Sequence, residues 1–130
     1  MSQENVEAVR RGYEMLNRGE LRPESFGPEF EIVEPREQPG AETRHGSEGV
    51  RDSMSAISEA FDEFQFSPER FIEKGDQVIA LLIAHGRGKG SGVAVERKVD
   101  HVWTFQNGKP VRVEIYLEVA DAMKTVGLSE

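Results

Sequence analysis

The chain contains no cysteine among its 130 residues. Disulfide bonds and a catalytic thiolate are therefore excluded, and a zinc site would have to combine histidines with carboxylates. The histidines are His45, His85 and His101, which stand on separate predicted elements without the short spacing of metal ligands. We therefore expect neither a metal site nor an organic cofactor.

Long apolar runs and an excess of basic residues are also missing. No stretch approaches the ~18 apolar residues that cross a bilayer, and residues 1–5 lack the basic and apolar segments of a signal peptide. The formal net charge of −8 argues against nucleic acid or an anionic membrane as a partner. We expect a cytoplasmic protein in which residues 1–130 form a single domain.

Two stretches have the apolar spacing of amphipathic helices, three or four residues apart. Gly19 marks the end of the first, and Ser47 is the expected cap of the second. A shorter helix is predicted over residues 119–126. The two apolar stripes consist of Val6, Val9, Tyr13 and Leu16, and of Val50, Met54, Ile57 and Phe61.

Five strands are predicted from runs rich in β-branched and aromatic residues. The first lies between the two helices and stops at Pro35; a polar loop over residues 37–46 separates it from the second helix. Asn107-Gly108 predicts a tight hairpin between the last two strands. The strands span residues 30–34, 64–73, 77–85, 93–105 and 111–117. This order predicts an α+β fold with helices on one face of a largely antiparallel sheet.

The predicted strand over residues 77–85 is apolar on both of its faces, in the run from Val78 to Ala84. A strand with one face in water alternates apolar and polar residues instead. Two helices cover only one face of the sheet, so a second copy of the chain is the simplest cover for the other. We therefore expect a homodimer formed through the sheet face.

Four segments carry a resemblance to a known family. The chain is similar to the nuclear transport factor 2-like superfamily, and more narrowly to its SnoaL-like polyketide cyclase and ketosteroid isomerase-like members. The resemblance implies a cone-like fold, in which a curved mixed β-sheet wraps around N-terminal helices and encloses an apolar pocket. The segments are Val9 to Leu21, Val33-Glu34-Pro35, His45 to Val50, and His101 to Lys109.

The same resemblance implies two catalytic residues. Ketosteroid isomerases place a carboxylate base at the end of the first strand before a proline, the position of Glu34. They also place a protonated aspartic acid before a histidine on a later strand, the position of Asp100. Their helix tyrosine aligns on Gly12, which leaves Tyr13 one position away.

The residues themselves leave the orientation of Asp100 open. Successive strand residues point to opposite faces, so Asp100 and His101 cannot share one. We favour Asp100 in the pocket, where an apolar wall keeps a carboxylic acid neutral, and His101 at the dimer face. In the inverted register, His101 and Trp103 line the pocket instead. Alternatively, Asp100 is a structural carboxylate paired with a neighbouring base such as Lys98.

Glu34 shares its strand face with Phe30 and Ile32, which favours an inward carboxylate, although an exposed acid at a strand end is equally consistent with the pattern. Five further residues are candidates for binding the substrate: Tyr13, His45, Val102, Trp103 and Leu117.

The sequence thus predicts a protein with a small-molecule pocket. Its expected chemistry is cofactor-independent isomerisation or cyclisation of an apolar carbonyl compound, with Glu34 as base and Asp100 as acid or oxyanion donor. The alternative is a non-catalytic ligand-binding or dimerisation module of the same fold.

Overall fold

A computed structural model describes residues 2–117, so the helix predicted over residues 119–126 lies outside the described residues. Within residues 2–117, two helices and six strands follow one another, with a short 3-10 helix at Pro23–Ser25. They are α1 (Ser2–Asn17), β1 (Glu31–Val33), β2 (Thr43–His45), α2 (Gly46–Ala60), β3 (Phe61–Lys74), β4 (Gln77–Gly88), β5 (Ala94–Gln106) and β6 (Lys109–Tyr116).

The six strands form one open sheet in the order β2-β1-β6-β5-β4-β3. Strands β3 to β6 are antiparallel neighbours, as their hairpin connections require. Strand β1 pairs in parallel with β6 and antiparallel with β2, so the sheet is mixed. The predicted α+β fold is confirmed.

The apolar stripe of α1 holds this helix against the sheet. Val9 and Tyr13 are buried there together with Phe66 of β3. At the end of the helix, the Asn17 amide donates to the Phe66 carbonyl (2.8 Å) and accepts from its N–H (3.0 Å). This paired bond fixes the helix end on the sheet.

Two details around α2 differ from the prediction. Residues 43–45, expected in a loop, form β2, because their backbone pairs with β1 although their side chains are polar and carry no strand pattern. The helix also starts at Gly46, one residue before the expected cap Ser47, and His45 at the cap position makes no side-chain capping bond. The Gly46 N–H instead donates to the Phe30 carbonyl (2.8 Å), which ties the helix start to the sheet.

The turn between β5 and β6 is the one that Asn107-Gly108 predicts. Both residues have positive φ angles, 53° and 76°, as a type I′ turn requires. The turn therefore starts the β5–β6 hairpin with Gln106 opposite Lys109.

The core lies between the helices and one face of the sheet, here called the inner face. On this face β4 and β5 contribute Val78, Ala80, Leu82, Val99 and Phe105, while β1 and β6 contribute Ile32 and Val113 to a second cluster with Val50 of α2. The opposite, outer face carries a smaller cluster centred on Ile79 and Val102. Any group that works in a cavity under the helices must therefore come from the inner face.

Candidate functional site

Strand β5 turns His101 and Trp103 to the inner face and Asp100 to the outer face. His101 pairs with Ala80 of β4, which belongs to the inner core. Asp100 pairs with Leu81, which packs in the outer cluster. The favoured orientation, with Asp100 in the pocket, is therefore wrong, and the inverted register describes the strand.

The packing of β5 is the physical reason, because this strand alternates without interruption from Val99 to Phe105 and both of these residues are buried in the inner core. A β-bulge in the hairpin then fits β6 to this arrangement. A regular two-residue hairpin at Asn107-Gly108 would place Asp100 opposite Ile115, whose side chain lies on the inner face. In the structure the register shifts by one residue just after the turn, so that Ile115 lies opposite His101. The extra residue lies in β6, so it changes which residues of β6 beyond it share a face with His101 and leaves the alternation of β5 as it is.

The extra residue is Val111. Phe105 pairs with Pro110, but the next residue of β5, Thr104, pairs with Arg112. Beyond this point Trp103 lies opposite Val113, with which it packs on the inner face.

On the inner face Tyr13, His101 and Trp103 form a buried hydrogen-bond chain. The indole N–H of Trp103 donates to the Tyr13 hydroxyl over 2.9 Å. The same hydroxyl lies 2.6 Å from Nδ1 of His101. The Phe66 ring meets the edges of both the Tyr13 and His101 rings, with centroids 5.7 and 5.2 Å away. Aromatic contacts therefore hold the chain in place from the side.

Burial fixes the protonation of this chain. It lowers the pKa of His101 to about 4 and raises that of Tyr13, so at neutral pH the imidazole is uncharged and the phenol keeps its proton. The Tyr13 oxygen already accepts from Trp103, and Nδ1 of His101 is its only acceptor among residues 2–117. Tyr13 therefore donates to Nδ1, and the imidazole carries its own proton on Nε2.

His101 lies on the wall of a cavity of about 390 Å³. The cavity is open to solvent on one side and is lined by residues of α2, of β3 to β6 and of the segment that follows β1. Its lining is mostly apolar and includes Ile57, Phe64, Phe66, Val99, Ile115 and Leu117. In the described part of the chain, Nε2 of His101 has no hydrogen-bond partner, so its proton is available to a guest in this cavity.

Glu34 lies on the same cavity wall. Its Oε2 accepts from Nε of Arg44 over 3.0 Å and its Oε1 accepts from the Glu42 N–H over 3.1 Å. Extending the β1–β6 pairing by one residue puts Glu34 beside Ile115, which lies opposite His101. The backbones of Glu34 and His101 are thus two strand spacings apart, about 10 Å.

Asp100 is buried on the outer face, only 3% exposed. Within residues 2–117 its Oδ2 has no hydrogen-bond partner. Burial raises the pKa of its carboxyl to about 6, an effect that the nearby Lys98 reduces and Glu69 increases. The sequence predicted a desolvated acid with a raised pKa, but the structure places it on the face opposite the cavity.

The candidate substrate-binding residues fall into two groups. Leu117 lines the same cavity as His101, here called the His101 cavity. Tyr13 instead borders two cavities beside α1, one of about 510 Å³ and one of about 110 Å³, and Trp103 lines the smaller of these. Val102 lines none of the three, because it is fully buried in the outer cluster. His45 was predicted to bind the substrate, but its side chain is 60% exposed and lies 3.4 Å from Glu31.

Sequence reasoning missed two residues of the site. Arg44, the partner of Glu34, lies in the segment expected to be a loop and gave no pattern. Arg97 lines the cavity through the same face of β5 as His101. The sequence did contain a signal for that face. The odd-numbered residues of β5 include Val99, Trp103 and Phe105, so this face of the strand is more apolar than the other.

Neither a metal cluster nor a membrane span appears within the described residues. No group of three or more histidines and carboxylates in residues 2–117 could hold a metal ion. No helix in this range has the length and apolar character to cross a bilayer.

Comparison with known sequences gives one family match. The family model of the SnoaL-like domain matches residues 9–113. No curated protein matches the sequence.

Solved structures share the fold over nearly the whole chain. An NTF2-like protein from Burkholderia thailandensis is 27% identical, with a TM-score of 0.76, covering 92% of this chain and 96% of its own. A Jannaschia protein named for its likeness to SnoaL-type polyketide cyclases is 18% identical, with a TM-score of 0.77 and coverages of 99% and 95%. The protein TerC, crystallised with polyporic acid, is 23% identical, with a TM-score of 0.73 and coverages of 95% and 97%.

Proposed function

Because the chain belongs to the SnoaL-like domain family and lines its cavity with a buried, neutral histidine, we propose that it is a small-molecule enzyme. Its reaction would be a cofactor-independent isomerisation or cyclisation of an apolar carbonyl compound. The acid/base groups are His101 and Glu34, both on the cavity wall.

The observation that carries this proposal is the hydrogen-bond chain from Trp103 through Tyr13 to His101. Because Tyr13 occupies Nδ1, the remaining imidazole proton sits on Nε2, ready to donate to a substrate carbonyl oxygen. When a proton leaves the neighbouring carbon, negative charge builds up on that oxygen. A fixed donor in an apolar cavity stabilises this charge more than water does.

Glu34 would accept the proton from carbon and return it to another carbon of the same substrate. The two bonds from Arg44 and the Glu42 N–H hold its carboxylate in one orientation. Both side chains rise from the inner face about 10 Å apart, on either side of Ile115, so a planar carbonyl compound lying over Ile115 would span them. Its carbonyl oxygen would meet His101 and its acidic C–H would meet Glu34.

Two fold neighbours are in keeping with this chemistry. One is named for its likeness to polyketide cyclases, and another was crystallised with polyporic acid.

The test is α-proton exchange, which needs no knowledge of the natural substrate. The protein is incubated with 2-tetralone in D2O, and loss of the α-proton signal is followed by NMR. We expect exchange above the buffer rate, reduced about 10²-fold or more in both Glu34→Gln and His101→Leu. Asp100→Asn, changed on the other face of the same strand, is the matched control and should retain the rate.

Equal exchange in His101→Leu and in the unaltered protein would contradict the proposed role of the imidazole. Circular dichroism of each variant separates a lost reaction from a lost fold.

A second function is favoured by one observation: both oxygens of Glu34 already accept a hydrogen bond. In this second function the Glu34 carboxylate only stabilises the cavity wall, and the protein binds a ligand without transforming it. Saturable binding of 2-tetralone, seen by titration calorimetry, without α-proton exchange would support this function.

We also propose that the chain forms a homodimer through the outer face of the sheet. Ile79 and Val102 are already buried there in the single chain, and a rim of half-buried Ile72, Leu81 and Tyr116 surrounds them. This rim is what a second copy would cover. Light scattering at micromolar concentration should give twice the mass of the chain; a clean monomer would rule the dimer out.

A further inference from the structure

Arg97 lines the His101 cavity beside Phe61 and Phe64. It pairs with Ala84 of β4, which packs against the inner core, so it belongs to the inner face with Val99 and His101. It is nevertheless an exposed residue, which places its guanidinium at the open rim.

The guanidinium of Arg97 forms no ion pair or hydrogen bond with any residue between 2 and 117. The neighbouring basic residues of the two strands do have acidic partners: Arg87 lies 3.7 Å from Glu63, and Lys98 lies 3.9 Å from Glu69 on the outer face. Since an arginine carries five N–H donors in a rigid fork, an unpaired one at an apolar cavity has a large capacity for a planar anion.

None of the other titratable side chains on the described cavity wall pairs with this guanidinium. The carboxylate of Glu34 is bound by Arg44 at 3.0 Å, an arginine that also lies 3.6 Å from Glu42 and 3.9 Å from Asp52. Burial keeps the imidazole of His101 uncharged at neutral pH, with its pKa lowered to about 4. His85 also borders the cavity, but its ring lies on the outer face, where Nε2 is hydrogen-bonded to Ser67 Oγ at 2.8 Å. Arg97 is therefore the charged side chain on the described cavity wall that has no bonded partner.

We infer that the natural ligand is an apolar carbonyl compound bearing a carboxylate, and that Arg97 selects it by binding that carboxylate. This inference rests on the proposed function, because it assigns the ligand class of the same cavity. Arg97 and His101 are four residues apart on one strand face, about 13 Å along β5. The carboxylate would remain at the rim while the carbonyl reaches His101. Arg97 is thus a specificity-determining residue.

Two probes of one shape test the charge preference: biphenyl-4-carboxylate and biphenyl-4-carboxamide. Titration calorimetry compares the unaltered protein with Arg97→Gln, and with Lys98→Gln as the matched control on the outer face. We expect the unaltered protein to bind the carboxylate at least about tenfold more tightly than the amide, since charge-assisted bonds are the stronger ones.

In Arg97→Gln the affinity for the carboxylate should fall to that of the amide, while the affinity for the amide stays unchanged. Lys98→Gln should retain the full preference. Equal binding of the two probes by the unaltered protein, or a preference that survives Arg97→Gln, would overturn the inference and leave the cavity as a binding site. Binding of neither probe would overturn both the inference and the proposed function.

Discussion

Asp100 and His101 are adjacent in the sequence and both are buried, but they differ in whether their polar side-chain atoms are hydrogen-bonded. His101 on the inner face has Nδ1 bonded to Tyr13. Asp100 on the outer face has an Oδ2 without a partner in the described part of the chain. Burial acts on both in the same way, since it disfavours the charged form of each. The difference shows that a buried polar residue in a strand points to a functional site only when its face is known.

The largest effect is expected from removing the centre of the inner hydrogen-bond chain. Tyr13→Ala leaves a cavity in the core and should lower the free energy of unfolding by about 3–5 kcal/mol. Tyr13→Phe keeps the ring but deprives His101 and Trp103 of their partner, and should cost about 1–3 kcal/mol. Urea unfolding measures both changes. A Tyr13→Phe variant as stable as the parent would show that the hydrogen-bond chain adds no stability.

A second effect appears in the pH dependence of the inner face. The pKa of His101 falls from 6.5 unfolded to about 4 folded, so the unfolded state binds more protons between these values. Stability from this residue is therefore complete above pH 6.5 and is lost as the pH falls toward 4. His101→Gln removes that loss. The free energy of unfolding of this variant, relative to that of the parent, should therefore rise by up to about 3 kcal/mol as the pH falls from 6.5 to 4. Urea midpoints at pH 7 and pH 4 measure the change; parallel pH profiles would contradict it.

The outer face should show the reverse slope. The pKa of Asp100 rises from 3.8 unfolded to about 6 folded, so the folded state binds more protons in this window. Stability therefore falls as the pH rises from about 4 to above 6. Asp100→Asn should be more stable than the parent by about 1–3 kcal/mol at pH 7, and the gain should vanish at pH 4. A variant that is less stable at pH 7 would reveal a partner for this carboxylate.

The smallest effect compares two carboxylates of low exposure on opposite faces. Glu34, unlike Asp100, has a hydrogen-bonded partner on each oxygen. Glu34→Gln should therefore reduce stability, by about 1–2 kcal/mol, where Asp100→Asn increases it. As a control, Glu7→Gln breaks the exposed pair with Arg10 and should change stability by less than about 0.5 kcal/mol. If neutralising Glu34 also stabilises the protein, the two carboxylates do not differ as described.

The fold could be predicted from the sequence because its signals are local. Helical spacing located α1 and α2, and Asn107-Gly108 located the hairpin turn. The strand β2 could not be found in this way, because its three residues are held by backbone pairing to β1 alone.

The site was only half predictable for a different reason. Glu34 lies on the cavity wall as the strand pattern and the resemblance suggested. Strand alternation separates Asp100 from His101, but which of the two faces the helices is settled by the pairing of β5 with β4 and by packing in the inner core. The resemblance favoured the carboxylate, although the greater number of large apolar residues on the His101 parity favoured the imidazole.

The bulged Val111 decides which residues of β6 beyond it face the cavity. Shifting β6 by one residue against β5 would turn Glu114 inward and Ile115 outward without altering either residue. In a hairpin of this kind, the insertion or deletion of one residue, and not a substitution, is the shortest step between an aliphatic side chain and a carboxylate at the same point of the wall. The length of the chain between the turn and Ile115 is therefore part of the chemistry of the site.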